Sequence, residues 1–138
     1  MTTQSKLGRV MMIDDEEIDQ LMYARILKRS GLADEVIAFT SAEKALDFLL
    51  QKDFPGVDLI LLDINMPRMS GFDFLEAVRQ RIGMAFDIPI VMMLTTSLNP
   101  EDKRRASGYE IVKAYVNKPL TPDDLEKALS ILDRVRAA

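Results

Sequence analysis

The chain contains no cysteine and no histidine. Without cysteine there are no disulfides, thiolate metal sites or thiol nucleophiles. Without histidine there is no imidazole base, no Ser-His dyad and no histidine-ligated metal. Chemistry therefore falls to carboxylates, hydroxyls, amines and backbone. A dominant basic charge is missing too: 18 Lys and Arg face 22 Asp and Glu, for a net charge of −4. A non-specific nucleic-acid binder needs a basic surface, so this balance argues against one. No apolar run nears the roughly 18–20 residues of a membrane span. The opening Met1-Thr2-Thr3-Gln4-Ser5-Lys6 has no apolar segment behind it. The expectation is a soluble cytoplasmic protein.

The 138 residues are 48% apolar and 29% charged, an ordinary balance for one domain with its own core. Residues 1–7 read as a disordered lead-in and 8–138 as a single domain with no output domain after it. Short apolar runs mark five strands: Val10 to Ile13, Glu35 to Phe39, Leu59 to Leu62, Ile90 to Leu94 and Ala114 to Val116. The central ones do not alternate, which suits strands buried on both faces of a parallel sheet. Amphipathic helices fall between them. The first places Ile18, Met22 and Ile26 on one stripe with Leu21 beside them, and stops at Ser30-Gly31. Thr40-Ser41-Ala42-Glu43 fits a capping box before Ala42, Ala45, Leu46 and Leu49. Gly71 starts a third helix with Phe72, Leu75, Val78 and Ile82 inward and Arg79, Gln80 and Arg81 outward. A short polar helix follows Asn99-Pro100, its Lys103-Arg104-Arg105 reading as a solvated face. The last begins at Thr121-Pro122 and carries Leu125, Ala128, Leu129, Leu132 and Val135 inward. Strands alternating with helices imply an α/β fold, a doubly wound five-stranded parallel sheet with helices on both faces. The nine methionines, Met11, Met12, Met92 and Met93 among them, read as core filler.

Polar residues close four of the strands: Asp14 and Asp15, Asp63, Thr95, and Lys118. In such a sheet the carboxyl ends share one edge, where ligands bind. Each residue alone has a plain reading: a helix cap for Asp63, a strand end for Thr95, a surface lysine for Lys118. Together they bring three carboxylates, a hydroxyl and an ammonium into one cleft. Crowded carboxylates take up protons or need a cation. Oxygen-only ligation favours a hard ion, Mg²⁺ in particular. A carboxylate beside Mg²⁺, lysine and hydroxyl is suited to accept a phosphoryl group.

From Val10 to Val135 the chain resembles the receiver domain of two-component response regulators, a flavodoxin-like (βα)5 fold. The marks are Asp14-Asp15, Asp63 with Met66-Pro67 and Gly71, Thr95, and Lys118-Pro119. The resemblance implies that Asp63 is the phosphoacceptor, modified to 4-aspartylphosphate. It implies that Asp15, Asp14 and Asp63, with the Asn65 carbonyl, hold Mg²⁺. Thr95 becomes the switch hydroxyl, Lys118 the phosphate-pairing lysine with a cis bond to Pro119, and Tyr115 the switch aromatic. The implied protein is a stand-alone phosphoryl-accepting switch and not an enzyme in its own right, beyond self-catalysed phosphotransfer and autodephosphorylation. Its donor would be a sensor histidine kinase or histidine phosphotransfer protein. Output would pass through the face of the fourth helix, fifth strand and fifth helix, with Lys103, Tyr109 and Tyr115, by partner binding, relay or homodimerisation. Leu94-Thr95-Thr96-Ser97 resembles a subgroup often partnered with bacteriophytochrome-type kinases.

Three alternatives are weaker. An Mg²⁺-dependent aspartyl-nucleophile phosphatase commonly places a general acid two residues past its nucleophile, but Asn65 cannot supply a proton. A flavin or nucleotide binder wants a Gly-rich or hydroxyl-rich loop after strand one, where this chain has Asp14-Asp15-Glu16-Glu17. A constitutive partner-binding module would not need the full acid set. Two positions depart from the family pattern: Ser70 replaces the frequent acid before the loop glycine, and Thr96 replaces the usual Ala or Gly. The bulk of Thr96 is expected to narrow access to the phosphate. A Thr96→Ala variant should then lose phosphate faster than wild type in a dephosphorylation time course; an equal or slower rate refutes this.

Overall fold

The computed structural model describes residues 7–82 and 90–137. Ten elements alternate without exception: β1 Leu7–Ile13, α1 Glu17–Ser30, β2 Ala33–Phe39, α2 Ala42–Leu49, β3 Leu59–Leu62, α3 Gly71–Ile82, β4 Ile90–Thr95, α4 Pro100–Ser107, β5 Val112–Asn117 and α5 Pro122–Ala137. All strand pairs are parallel, in the order β2-β1-β3-β4-β5. β1 begins at Leu7, which is fully buried, so that residue belongs to the sheet and not to a disordered lead-in. Residues 1–6 lie outside the described residues.

The sheet separates two apolar layers, and strand periodicity decides which residue joins which. Met11, Ile13, Ile60, Leu62, Val91 and Met93 face α2, α3 and α4. Val10, Met12, Leu59, Leu61, Ile90, Met92 and Leu94 face α1 and α5. This is why β3 and β4 show no alternation: both faces are inside. Each fully buried side chain of this size stabilises the fold by roughly 1.5–3 kcal/mol. The four methionines in β1 and β4 are all buried.

Helix ends follow local chemistry. Gly31 closes α1 in the left-handed region, φ 69°, its N–H donating to the Lys28 carbonyl. α2 is capped by Ser41, whose hydroxyl accepts from the Lys44 N–H, one residue later than the Thr40 box would have it. Asn99 caps α4. Thr121 and Asp124 exchange side-chain-to-backbone bonds at the start of α5, with Pro122 at its first position.

The inward face of α1 differs from the expected one. Ile18, Leu21 and Met22 are exposed, at 77%, 68% and 44%. Gln20, Tyr23 and Leu27 are buried instead, with Ile26 packed beside them. The apolar residues of α1 form two stripes, and periodicity alone does not choose between them. Gln20 does: its amide donates to the carbonyls of Asp14 (2.8 Å) and Phe39 (2.7 Å). Those bonds turn Tyr23 and Leu27 onto the sheet. In α3, Phe72, Leu75 and Val78 are buried as expected, and Phe74 with them. The side chains of Arg81 and Ile82 lie outside the described residues.

The β3–α3 loop folds back on the end of β3. The Gly71 N–H donates to the Ile64 carbonyl at 2.8 Å. A Cβ at Gly71 would stand 2.3 Å from the Asp63 carbonyl oxygen and 3.1 Å from Ile64 Cα. Both neighbours are backbone, so nothing cheap can yield. Gly71→Ala should cost about 2–3 kcal/mol in urea unfolding, the scale of core overpacking; a loss below about 0.5 kcal/mol would contradict the close approach.

Candidate functional site

Register builds the site. Ile13 pairs with Leu62 across β1 and β3, so the next residues, Asp14 and Asp63, emerge side by side. Thr95 pairs with Asn117 across β4 and β5, which sets Lys118 just beyond. Backbone bonds continue the ladder past the strands: Asp63 N–H to Ile13 O (3.0 Å), Asp14 N–H to Phe39 O (3.1 Å) and Lys118 N–H to Thr95 O (2.8 Å). The order β2-β1-β3 reverses the direction in which the sheet is wound between β1 and β3, the kind of switch point that opens a crevice beyond the strand ends.

Asp14 and Asp63 are buried, at 5% and 6% exposure; Thr95 is fully buried. One carboxylate oxygen each of Asp14, Asp15 and Asp63 lie within 4.8 Å of one another. Lys118 Nζ lies 2.8 Å from Asp14 Oδ2, 2.9 Å from Asp19 Oδ2 and 3.9 Å from Asp63 Oδ2. The ammonium thus donates to Asp14 and Asp19 and only approaches Asp63. The Lys118–Pro119 peptide bond is cis. Asn65 and Thr96 are exposed. Thr95 Oγ1 accepts from the Ser97 N–H at 3.1 Å. Tyr115 packs half-buried against the α2–α3–α4 layer, and its buried hydroxyl lies beside Ser97. Tyr109 donates to Glu76 of α3 at 3.1 Å and so turns toward α3, away from the α4–β5–α5 face expected for it.

The sequence reading missed Asp19 and Gln20. Asp19 is one of the acids in the first turn of α1, and only the fold brings it to Lys118. Gln20 sits where the apolar stripe is interrupted.

The electrostatics follow from crowding. Burial is the main force raising the Asp63 pKa; Lys118 opposes it, the Asp14 charge adds to it, a bond from the Asn65 backbone N–H opposes it, and the result is about 6 against 3.8 ordinarily. Burial works to lower the Lys118 pKa, but the hydrogen bonds to Asp14 and Asp19 and the Asp63 charge outweigh it and hold the ammonium above its usual value. A hard divalent cation fits this donor set: the clustered groups are all oxygen, crowded and over-negative.

Residues 10–130 match the family described as the response regulator receiver domain. Response regulator Rcp1 of Synechocystis sp. is 32% identical over 123 residues, covering 86% of this chain and 81% of that protein. The sensory/regulatory protein RpfC of Xanthomonas campestris is 30% identical over 90% of this chain, which spans only 16% of that protein's length. A crystal structure of a two-component response regulator from Cytophaga hutchinsonii superposes with a TM-score of 0.84 at 29% identity, covering 96% of this chain and 99% of that one. The chain belongs to the receiver domain family, the signalling switches of two-component systems. The sheet order and five flanking helices are those of the CheY-like, flavodoxin-like fold. None of the helices among the described residues is long and apolar enough to cross a membrane.

An acid whose native pKa is raised is bound to more protons in the folded state than in the unfolded one. Stability then falls as pH rises through the window from 3.8 to about 6. A shift of that size corresponds to about 3 kcal/mol at neutral pH. Without divalent cations, Asp63→Asn should raise unfolding free energy by about 1–3 kcal/mol at pH 7.5 and leave it nearly unchanged near pH 4. Urea titrations of both proteins at the two pH values check this; an equal gain at both rules it out.

Proposed function

We propose that Asp63 is the acceptor of a phosphoryl group from the phosphohistidine of a sensor histidine kinase or histidine phosphotransfer protein. The observation carrying this reading is the buried Asp63 carboxylate, with Asp14 and Asp15 oxygens within 4.8 Å and Lys118 Nζ at 3.9 Å. Mg²⁺ would be held by Asp14, Asp15, Asp63 and the Asn65 carbonyl. When bound, it supplies positive charge to the transferring oxygens. Asp63 Oδ attacks phosphorus, the P–N bond of the donor breaks, and its electron pair returns to the imidazole. The burial that raises the Asp63 pKa keeps water from the acylphosphate product. Lys118 offers a permanent cation for the new oxygens, and Thr95 a hydroxyl beside them.

The phosphoryl group carries about −1.5 to −2 charges and replaces the carboxylate's own single charge, so the site gains roughly one negative charge and three acceptor oxygens at one buried point. Thr95 follows the phosphate, Tyr115 takes the space it leaves, and the α4–β5–α5 face shifts population toward a state that binds an output protein or a second copy. The exposed Ile18, Leu21 and Met22 lie on the helix that follows Asp14-Asp15 and suit contact with the donor's helices. Such an exchange belongs in the cytoplasm, without nucleic acid or membrane as partner.

The test is incubation with Mg²⁺ and acetyl phosphate or beryllofluoride. One equivalent of modification is expected, abolished in Asp63→Asn. Catalytic turnover of phosphate esters that survives this substitution would instead identify a phosphatase.

A further inference from the structure

Asp19 has no part in the acceptor chemistry above, yet it makes one of the shortest contacts of the buried lysine. Its Oδ2 is 2.9 Å from Lys118 Nζ, a full ångström closer than the acceptor's oxygen at 3.9 Å. The Lys118 side chain is only 10% exposed, so water does not compete freely for its three N–H donors. Two of them are engaged by Asp14 and Asp19. Asp19 is itself largely enclosed, with 26% of its side chain exposed, whereas its neighbour Glu17 in the same first turn is exposed and carries the same charge.

We propose that Asp19 is a positioning residue that holds the Lys118 ammonium off the acceptor until a phosphoryl group outbids it. This inference rests on Asp63 being the acceptor. Two of its donors are directed at Asp14 and Asp19, so drawing the ammonium in from 3.9 Å toward phosphoryl oxygens on Asp63 pulls against both of those bonds. A cation bound by Asp14 would itself weaken that residue's hold on Lys118, which leaves Asp19 as the remaining competitor. Asp19 thereby sets a threshold: the unmodified site keeps its lysine parked, and only the added charge draws it across. The same exchange frees Asp19 in the first turn of α1, so the state of Asp63 reaches the turn that carries Ile18 and Leu21.

The experiment measures beryllofluoride affinity at saturating Mg²⁺ in wild type, Asp19→Asn, Asp19→Glu and Glu17→Gln. Asp19→Asn keeps the side chain's shape and removes the competing charge. It should bind the anion at least about fivefold more tightly, the scale of one partly buried ion pair. Glu17→Gln loses the same charge from the same turn without touching Lys118, and should stay within about twofold of wild type, as should Asp19→Glu. A variant with a damaged site would bind more weakly, so the sign separates positioning from a structural role. An unchanged or weaker affinity in Asp19→Asn overturns the proposal, and so does an equal gain in Glu17→Gln. If wild type itself takes up no beryllofluoride, it is the acceptor role of Asp63 that fails.

Discussion

One ammonium stands among four aspartates at the edge of this sheet. Lys118 is the shared counter-ion of Asp14, Asp19 and Asp63, and Asp15 stands in the same cluster. Charges held this close in a largely dry site are costly unless each has a partner. The site is therefore not at rest electrically. It has more negative charge than its lysine can neutralise, and a second cation, a proton or a rearrangement relieves it.

The rest of the fold serves to impose the imbalance. Parallel pairing with Ile13 opposite Leu62 leaves Asp14 and Asp63 no option but adjacency. Close packing of Gly71 on the Asp63 backbone fixes where the Asp63 side chain begins. The Gln20 amide ties the start of α1 to the ends of β1 and β2, which brings Asp19 within reach of Lys118. Two apolar layers, each insulated from the other by the sheet, hold these contacts from both sides. The energy to hold uncomfortable charges together comes from the buried Ile, Leu, Val and Met of β1, β3 and β4.

Much of this is legible in the sequence. Leu59 to Leu62 match β3 residue for residue, because a strand with both faces buried has a composition few loops share. The strand-end residues Asp14, Asp15, Asp63, Thr95 and Lys118 were legible because topology alone sends strand ends to one edge. What stayed hidden depended on rotation and on polar contacts. The stripe of α1 was misread, since Ile18 and Leu21 look as core-like as Tyr23 and Leu27 until Gln20 finds its carbonyls. The cap of α2 moved by one residue because Thr40 and Ser41 are both capable caps. Asp19 looked like an ordinary acid at a helix start, where it also suits the dipole; only its 2.9 Å contact distinguishes it.

The α1 surface has a further consequence. Ile18 and Leu21 spend little of their apolar area on the fold, since Gln20, Tyr23 and Leu27 already fasten the helix. Substitutions there leave the core and the charge cluster intact. One side of α1 thus carries the packing and the other carries no structural duty. The exterior residues can drift in sequence while the seat of the helix on the sheet is inherited unaltered.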